Sequence, residues 1–253
     1  MSDPRALFDL SGRIACVTGA SSGLGRRAAW VLAAAGARVI GVARRAAALA
    51  DLEAAIGPAF AAVAADLADH AARAEAAARI AQPFGAPDIL VNAAGLNPRK
   101  PADDVSPEEW DATLATNLTA PFFLAQAMVP AMRARGWGRI INFASLQSFR
   151  AFPAGIAYGA SKGGVAQLTR AMAEAWSGSG ITANALGPGF FPTELTGPVF
   201  ADPERAAANA AQTCIGRNGR LEDIDGPLIF LCSEASAYVT GQILMVDGGF
   251  TAK

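Results

Sequence analysis

Three side chains in the second half of the chain have the types that proton transfer requires. Tyr158 and Lys162 stand four residues apart in Tyr-Gly-Ala-Ser-Lys, so on a helix they would share one face. A tyrosine with a pKa of about 10 is a poor base at neutral pH, but a neighbouring ammonium group stabilises the phenolate and lowers that pKa. Ser145 follows the apolar run Ile-Ile-Asn-Phe-Ala and places a hydroxyl at the end of a predicted strand. These three residues could move a proton to or from a substrate oxygen.

The Tyr158–Lys162 pair is weak evidence by itself, because a packed tyrosine beside a solvated lysine would produce the same spacing. Two observations favour the chemical interpretation. Tyr158 is one of only two tyrosines, and its neighbours in the sequence are small residues that suit a surface pressed against a ligand. Ser145 lies at the carboxyl edge of the predicted sheet, which is where open α/β sheets bind their ligands.

A glycine-rich segment near the start of the chain, Thr18-Gly19-Ala20-Ser21-Ser22-Gly23-Leu24-Gly25, predicts a phosphate site. The first glycine allows a tight turn, the second lets the backbone approach a pyrophosphate, and the third lets the next helix pack on the strand. The N-terminus of that helix offers free N–H groups and a partial positive charge. The spacing differs from the common G-x-G-x-x-G pattern, and an ordinary glycine-rich turn is the alternative. Its position after the first strand of an α/β alternation favours a cofactor.

The end of the second predicted strand bears on which nicotinamide cofactor binds. An acidic side chain there would accept hydrogen bonds from the adenosine ribose and favour NAD, but residues 38–50 contain no acid. Arg44 and Arg45 stand about 20 residues past the glycines, where a guanidinium would pair with the 2′-phosphate of NADP. Two solvated loop arginines are the alternative. We predict NADP(H) over NAD(H), with Arg44 as the main determinant.

Short apolar runs alternate with longer helical patterns, which predicts a parallel sheet with helices on both faces. Seven strands are predicted, at 13–18, 38–43, 60–64, 88–92, 139–144, 182–186 and 242–246. Helices are predicted at 25–35, up to 56, at 70–82 and at 158–176, and Ser106 caps a long helix with Pro107 and Glu109 in its first turn. No linker or repeat divides the chain. The predicted fold is therefore one doubly wound, Rossmann-type α/β domain over residues 1–253.

The composition argues against several other classes of protein. The 253 residues are 52% hydrophobic and 17% charged, which is enough for a full core. A net charge of −1 without basic or acidic blocks gives no reason to expect a nucleic-acid or membrane partner. The first ten residues lack the apolar middle of a signal peptide, and three cysteines without metal-ligand spacing predict a reducing cytoplasm and no metal site. His70, the one histidine, would have to be the base of any serine–histidine hydrolase.

Taken together, these segments make the chain similar to the short-chain dehydrogenases/reductases, and the resemblance covers essentially the whole chain. It rests on the segments Thr18 to Gly25, Asn92-Ala93-Ala94-Gly95, Asn117, Ser145, Tyr158-Gly159-Ala160-Ser161-Lys162 and Pro188-Gly189. One position departs from the family pattern, since Ala93 stands where the family often has a second asparagine. Asn92 and Gly95 remain in place, so we expect little loss.

The resemblance implies a role for each residue of the chemical centre. Tyr158 would be the general acid/base, and Ser145 would hydrogen-bond the substrate oxygen. Lys162 would bind the nicotinamide ribose and lower the pKa of Tyr158, while Asn117 would hold a water that links Lys162 to solvent. The implied reaction is hydride transfer between the nicotinamide and a carbonyl carbon, with the oxygen protonated by Tyr158, or the reverse.

The resemblance also implies which residues bind the cofactor. Asp66 and Leu67 would contact adenine, Asn92 would support the sheet beside the cofactor, and Thr193 would touch the carboxamide. The predicted cofactor-binding residues are Gly19, Ser21, Ser22, Gly23, Leu24, Gly25, Arg44, Arg45, Asp66, Leu67, Asn92, Ala93, Gly95, Tyr158, Lys162, Pro188, Gly189 and Thr193.

Substrate choice should lie in residues 95–101, in the residues after Ser145, and in a lid at about 190–217. Residues 95–101, 106–110 and 246–252 resemble the gluconate 5-dehydrogenase-like branch, where an arginine at the place of Arg99 can grip a sugar-acid carboxylate. A solvated loop charge is an equal alternative for Arg99. Gln147 would hydrogen-bond a substrate hydroxyl or brace its loop. The predicted substrate is a small carbonyl or alcohol, such as a sugar acid, polyol or ketose.

Three alternative functions remain open. Reduction of a 3-oxoacyl group on a carrier protein would need a basic docking patch, which Arg133, Arg135, Arg99 and Lys100 only weakly suggest. The substrate could instead be a small ketone. A cofactor-binding regulatory protein without activity belongs to another class, and the presence of Ser145, Tyr158 and Lys162 disfavours it. Because family members are usually tetramers, a homotetramer is the predicted assembly.

Overall fold

The computed structural model describes residues 3–253, so Met1 and Ser2 of the predicted 1–253 domain lie outside it. These residues form one sheet of seven strands in the order β3-β2-β1-β4-β5-β6-β7, and all neighbouring strands are parallel. The strands are β1 (Ile14–Thr18), β2 (Arg38–Ala43), β3 (Phe60–Ala64), β4 (Ile89–Asn92), β5 (Gly138–Phe143), β6 (Ile181–Pro188) and β7 (Ile243–Val246). The predicted doubly wound α/β fold is confirmed.

Helices connect the strands, and the last three helices lie between β6 and β7 in the chain. They are α1 (Gly23–Ala34), α2 (Ala46–Ile56), α3 (His70–Ile80), α4 (Pro107–Leu114), α5 (Ala120–Arg135), α6 (Ile156–Trp176), α7 (Gly197–Phe200), α8 (Pro203–Gln212) and α9 (Asp225–Cys232). The predicted boundaries of the strands agree with these to within two residues. Helix α9, whose buried apolar residues pack against α1, is not among the predicted helices.

The sheet has a separate apolar core on each face, because successive side chains of a strand point to opposite faces. In β1, Ala15 and Val17 lie in the core with α1 and α9, whereas Ile14 and Cys16 lie in the core with α3 and α5. All five β1 residues are buried. This burial on both faces explains why the strands appear in the sequence as continuous apolar runs rather than as alternating patterns.

The helical run that leads to the predicted Asn117 site begins as expected but is not uniform. The Ser106 hydroxyl accepts a hydrogen bond from the Glu109 N–H at 3.3 Å, and Glu109 accepts one from the Ser106 N–H at 3.2 Å, which forms the predicted capping box. The predicted single long helix is instead divided into α4 and α5 by a π-helical turn, Ala115–Thr119. Such turns occur frequently at functional sites.

Strand register brings the motif residues together at the carboxyl edge of the sheet. Thr18 is paired with Asn92, and Asn92 is paired with Asn142 on the next strand. The segments that follow these three residues, which contain Gly19, Ala93 and Ser145, therefore leave the sheet side by side. Within residues 3–253, no helix is long and apolar enough to cross a membrane.

Candidate active site

A cavity of about 650 Å³ opens at this edge and extends under α8. Apart from Asn92 and Asn117, which are buried behind its wall, every residue predicted to bind the cofactor or the substrate lines it. The cavity therefore brings together the glycine-rich segment, the tyrosine–lysine pair and the predicted substrate residues. Among residues 3–253, no cluster of side chains has a metal-binding arrangement.

Helix α6 positions the chemical centre. It begins at Ile156, so Tyr158 lies in its first turn and Lys162 lies one turn further along, both buried at 8% and 5% exposure. The Lys162 Nζ atom donates a 2.6 Å hydrogen bond to the Phe143 carbonyl and lies 5.6 Å from the centre of the Tyr158 ring. Ser145 follows β5 and its hydroxyl faces the phenol. The three predicted groups converge on one point of the cavity wall.

Burial dominates the electrostatics of this centre. It raises the pKa of Tyr158 above its usual value, and the Ser145 hydroxyl and the Arg99 charge oppose that change. Burial also lowers the pKa of Lys162 to about 8, since the charged form loses hydration. The resemblance implied that Lys162 lowers the pKa of Tyr158, but Lys162 is not among the groups that lower it in the protein without cofactor. Loss of hydration has the largest effect on this pKa, and the phenol stays protonated at neutral pH.

Asn117 lies in the π-helical turn and connects the loop after β4 to α6. Its Nδ2 donates to the Leu96 carbonyl and to the Ser161 hydroxyl, both at 3.0 Å, and its Oδ1 accepts from the Leu96 N–H at 2.9 Å. Each polar atom of the side chain therefore has a protein partner. A water between Asn117 and Lys162, as the resemblance implied, would bind the remaining lone pair of Oδ1 or a backbone group of the turn, and that role stays a prediction.

The glycine-rich segment has the close contacts that its glycines predicted. A Cβ atom on Gly25 would lie 2.3 Å from the Gly19 carbonyl oxygen, and one on Gly19 would lie 2.8 Å from the Ala94 nitrogen. The Thr18 hydroxyl accepts hydrogen bonds from the N–H groups of Ala93 and Ala94, both at 3.1 Å. Helix α1 starts directly after Ser22, whose side chain makes no capping hydrogen bond. The first N–H groups of α1 are thus left available to an anion.

Arg45, rather than Arg44, lies over this segment. Its guanidinium donates to the Ser22 hydroxyl at 2.6 Å and to the Ser21 hydroxyl at 3.0 Å, and it forms a 2.9 Å ion pair with Glu194. Arg45 lowers the pKa of the Glu194 carboxyl, which is therefore anionic. Arg44 is 71% exposed and lies 3.9 Å from Asp66. Glu194 is not among the predicted cofactor-binding residues, because nothing in the sequence places the lid segment next to the second strand.

Asn92 lies behind the cavity wall and makes a hydrogen bond between neighbouring strands of the sheet. Its Nδ2 donates a 2.9 Å hydrogen bond to Asn142, whose own Nδ2 donates to Thr169 on α6 at 3.0 Å. This buried chain joins β4, β5 and α6 beneath the catalytic pair. It agrees with a supporting role for Asn92.

The substrate side of the cavity is formed by loops and by α8. Arg99 is half-buried in a left-handed backbone conformation with φ 54°, and it donates a 3.1 Å hydrogen bond to the Leu195 carbonyl. Gln147 packs over Gly155 and Gly159 at the start of α6. Arg205 and Asn209 on α8 also line the cavity and were not predicted. The helix-start signal Asp202-Pro203 predicts a helix on which these two residues share a face, but it does not show that this face lies against the cavity.

The basic patch considered for a carrier protein does not form as a set of free charges. Lys100 makes a 2.6 Å ion pair with Glu109, and Arg135 makes a 2.9 Å ion pair with Asp88. Arg99 lines the cavity instead. Nothing in this arrangement favours a docked carrier protein.

Comparison with known proteins agrees with the geometry. Residues 19–251 match the family described as enoyl-(acyl carrier protein) reductase. Gluconate 5-dehydrogenase of Gluconobacter oxydans is 41% identical over 99% of each chain, and galactitol 2-dehydrogenase (L-tagatose-forming) of Cereibacter sphaeroides is 41% identical over 98% of this chain and 99% of that one. The crystal structure of a gluconate 5-dehydrogenase from Burkholderia cenocepacia with NADP and tartrate has a TM-score of 0.93 at 39% identity, covering 98% of both chains.

Proposed function

The chain belongs to the short-chain dehydrogenase/reductase family of NAD(P)-dependent oxidoreductases, and on that premise we propose that it interconverts a secondary alcohol and a carbonyl of a sugar acid or polyol with NADP(H). The observation that carries the proposal is that Tyr158, Ser145 and the glycine-rich segment share one cavity. A proton-transfer group and a phosphate-binding backbone are thereby held within reach of one small molecule.

The residues around the glycine-rich segment fit a dinucleotide phosphate. The uncapped N-terminus of α1 and the close backbone contact at Gly19 suit a pyrophosphate. Arg45, held by Ser21 and Ser22, offers a fixed guanidinium for a 2′-phosphate. When bound, the nicotinamide supplies or accepts the hydride. NADP in the related Burkholderia structure supports this choice.

Tyr158 and Ser145 act on the reacting oxygen. Because burial raises the pKa of Tyr158, its phenol is protonated at neutral pH and can donate a proton to the oxygen of a carbonyl substrate. Ser145 holds that oxygen by a hydrogen bond. In the reverse direction Tyr158 must first lose its proton, so alcohol oxidation should increase as pH rises. Lys162 holds its ammonium group beside the phenol and would bind the nicotinamide ribose.

A substrate panel tests this function. We expect turnover of D-gluconate or a related aldonate, or of a polyol such as galactitol, with NADP, and of the matching keto compounds with NADPH. Small aromatic ketones are the comparison arm. Activity on aromatic ketones alone would overturn the sugar-acid or polyol assignment, and absence of turnover on every carbonyl and alcohol would favour a non-catalytic protein. The ratio of kcat/KM for NADPH to that for NADH measures cofactor preference, and a clear NADH preference would contradict the proposal.

We further propose that the chain folds as one domain and acts as a homotetramer in the cytoplasm. Large apolar side chains exposed on α5 and β7, Phe123 at 40% and Leu244 at 38%, support contacts between copies. Light scattering during size-exclusion chromatography measures the assembly directly. A monomer at micromolar concentration would contradict the tetramer.

A further inference from the structure

Helix α8 turns one of its faces into the substrate side of the cavity. It starts with Pro203 after Asp202, whose carboxylate accepts a 3.0 Å hydrogen bond from the Arg205 N–H. Arg205 and Asn209 are one turn apart, so they share a face, and both line the cavity together with Arg99 from the loop after β4. The helix therefore holds a cation and an amide over the space next to Tyr158.

Arg99 and Arg205 face the same space, and neither is paired with a carboxylate of residues 3–253. Arg45 and Arg217, by contrast, each have a carboxylate within 3 Å. Burial lowers the pKa of Arg99, and the charge of Arg205 lowers it further. Arg99 is partly buried and Arg205 is exposed at the rim of the cavity, so the repulsion is felt mainly by Arg99, and an anion bound between the two guanidinium groups would offset it.

A donor atom of Arg99 also lacks a partner. Its Nε is buried and makes no hydrogen bond to the described residues, although its Nη2 is bound to the Leu195 carbonyl. The φ of 54° at Arg99 is uncommon for a residue other than glycine, so the backbone directs this side chain at some cost. A buried donor without a partner is unfavourable unless a ligand supplies the acceptor.

We propose that Arg205 is a specificity-determining residue that, together with Arg99, binds the carboxylate of the substrate. This inference rests on the proposed function and narrows it to substrates that carry an anion at one end, with the reacting carbon at Tyr158. A carboxylate supplies acceptor oxygens for both guanidinium groups and for the unpaired Nε of Arg99. Because Arg205 lies on α8 and Arg99 is bound to Leu195, the anion also fixes the lid against the cavity.

Carboxylate recognition decides which carbon of the substrate reacts. With one end held by the two arginines, the chain length between the carboxylate and the reacting carbon must match the distance to Tyr158. Gln147 lines the same cavity, and its buried Oε1, which has no hydrogen-bond partner among residues 3–253, can accept a hydrogen bond from a hydroxyl of the substrate between the two ends. A neutral polyol lacks the carboxylate that would fix which of its carbons lies at Tyr158.

The first test compares anionic and neutral substrates in the Arg205→Gln variant. The measured quantity is the ratio of kcat/KM for D-gluconate to kcat/KM for galactitol, with NADP. We expect this ratio to fall about tenfold or more, mainly through the KM for gluconate, since a charge-assisted hydrogen bond is lost. Arg205→Lys should restore part of the ratio because it returns the charge. Arg133→Gln, an exposed arginine of α5 that does not line the cavity, is the matched control and should leave the ratio unchanged.

The second test measures binding without turnover. Calorimetry of the enzyme–NADPH complex should detect D-gluconate or tartrate binding, weakened about tenfold or more by Arg205→Gln. Arg99→Gln and Arg205→Gln should be non-additive in the double variant, because both contact one carboxylate. An unchanged substrate ratio, equal losses for gluconate and galactitol, or undetectable binding of both carboxylates would each overturn the inference while the proposed function could still hold. A preference for a ketose phosphate over the carboxylates would assign the two arginines to a phosphate instead.

Discussion

The two halves of the cavity are constructed differently. The cofactor half is held by backbone, with Gly19 and Gly25 in contacts that no side chain could share, and Arg45 already has Ser21, Ser22 and Glu194 as partners. Its free groups are the backbone N–H groups at the start of α1. The substrate half, formed by Arg99, Gln147, Arg205 and Asn209, has a buried side-chain donor and a buried side-chain acceptor that find no partner among residues 3–253. Backbone geometry therefore prepares the first half for its ligand, whereas the second half relies on individual side chains.

Tyr158 lies where the two halves meet, and removing its hydroxyl should give the largest effect, with catalysis lost and cofactor binding kept. We expect Tyr158→Phe to lower kcat by roughly 10²–10⁴-fold, because the proton donor is lost while the ring remains. NADPH affinity, measured by fluorescence titration, should be nearly unchanged. The control is Tyr238→Phe, which removes the same atom from a fully exposed tyrosine. Retention of more than about a tenth of the activity would contradict the role of Tyr158.

Burial of the Lys162 ammonium group, which the proposed catalysis requires, should lower the stability of the folded protein. In the folded protein its pKa is lowered to about 8, against 10.5 for an exposed lysine, which corresponds to roughly 3 kcal/mol of unfavourable burial. Below about pH 8 this cost is present in full, and it disappears as pH rises from about 8 to 10.5, where the unfolded chain still binds the proton. Lys162→Met should therefore gain stability relative to wild type at about pH 7 and lose that gain towards about pH 10, while catalysis falls.

Urea unfolding of the cofactor-free proteins at both pH values measures this difference directly. The variant also loses the hydrogen bond to the Phe143 carbonyl, which adds a cost that does not depend on pH. The test is therefore how the difference in free energy of unfolding between variant and wild type changes from about pH 7 to about pH 10. Other buried groups away from Lys162, such as Cys16 and Cys232, titrate in both proteins and cancel in the comparison. Parallel stability curves would mean that Lys162 is not held at a lowered pKa.

Arg45 should determine the preference of the cofactor half for NADPH over NADH. Arg45→Gln should lower kcat/KM for NADPH by roughly 10–100-fold and change that for NADH little, because a charged contact with the 2′-phosphate is lost. Arg44→Gln should have the smaller effect, since Arg44 is 71% exposed and lies near Asp66. If Arg44→Gln instead has the larger effect, the original sequence prediction is right and the contact of Arg45 with the glycine-rich segment is not the determinant.

Glu194 should give the smallest effect and the opposite sign. Its carboxylate is 2.9 Å from Arg45, where it competes with a 2′-phosphate for the same guanidinium. We expect Glu194→Gln to tighten NADPH binding about two- to fivefold and to leave NADH binding unchanged, because an exposed ion pair is weak. Glu204→Gln, on the exposed start of α8, is the matched control. Weaker NADPH binding in Glu194→Gln would show that the carboxylate supports the site rather than competing for it.

The same difference between the halves explains what the sequence could predict. Gly19, Gly25 and Thr18 act through local backbone geometry, so their spacing was sufficient to place the cofactor half and the sheet edge. The choice between Arg44 and Arg45 depends on side-chain direction at the end of β2, which the sequence does not specify. Glu194 and Arg205 lie in the lid predicted at about 190–217, but which side chains of that segment face the cavity depends on tertiary packing. The raised pKa of Tyr158 depends likewise on burial that the Tyr158–Lys162 spacing cannot reveal.

The π-helical turn at Ala115–Thr119 makes the orientation of the site residues depend on the length of the chain before α5. A π turn contains one residue more than the α-helical turn it replaces, and each residue of an α-helix rotates the following side chains by about 100°. Deleting one residue there would leave an unbroken α-helix with good local geometry. It would also turn Leu124 and Met128 of α5 out of their core, or turn Asn117 away from Leu96 and Ser161. Substitutions in this turn change contacts one at a time, whereas a length change shifts the phase of a whole helix.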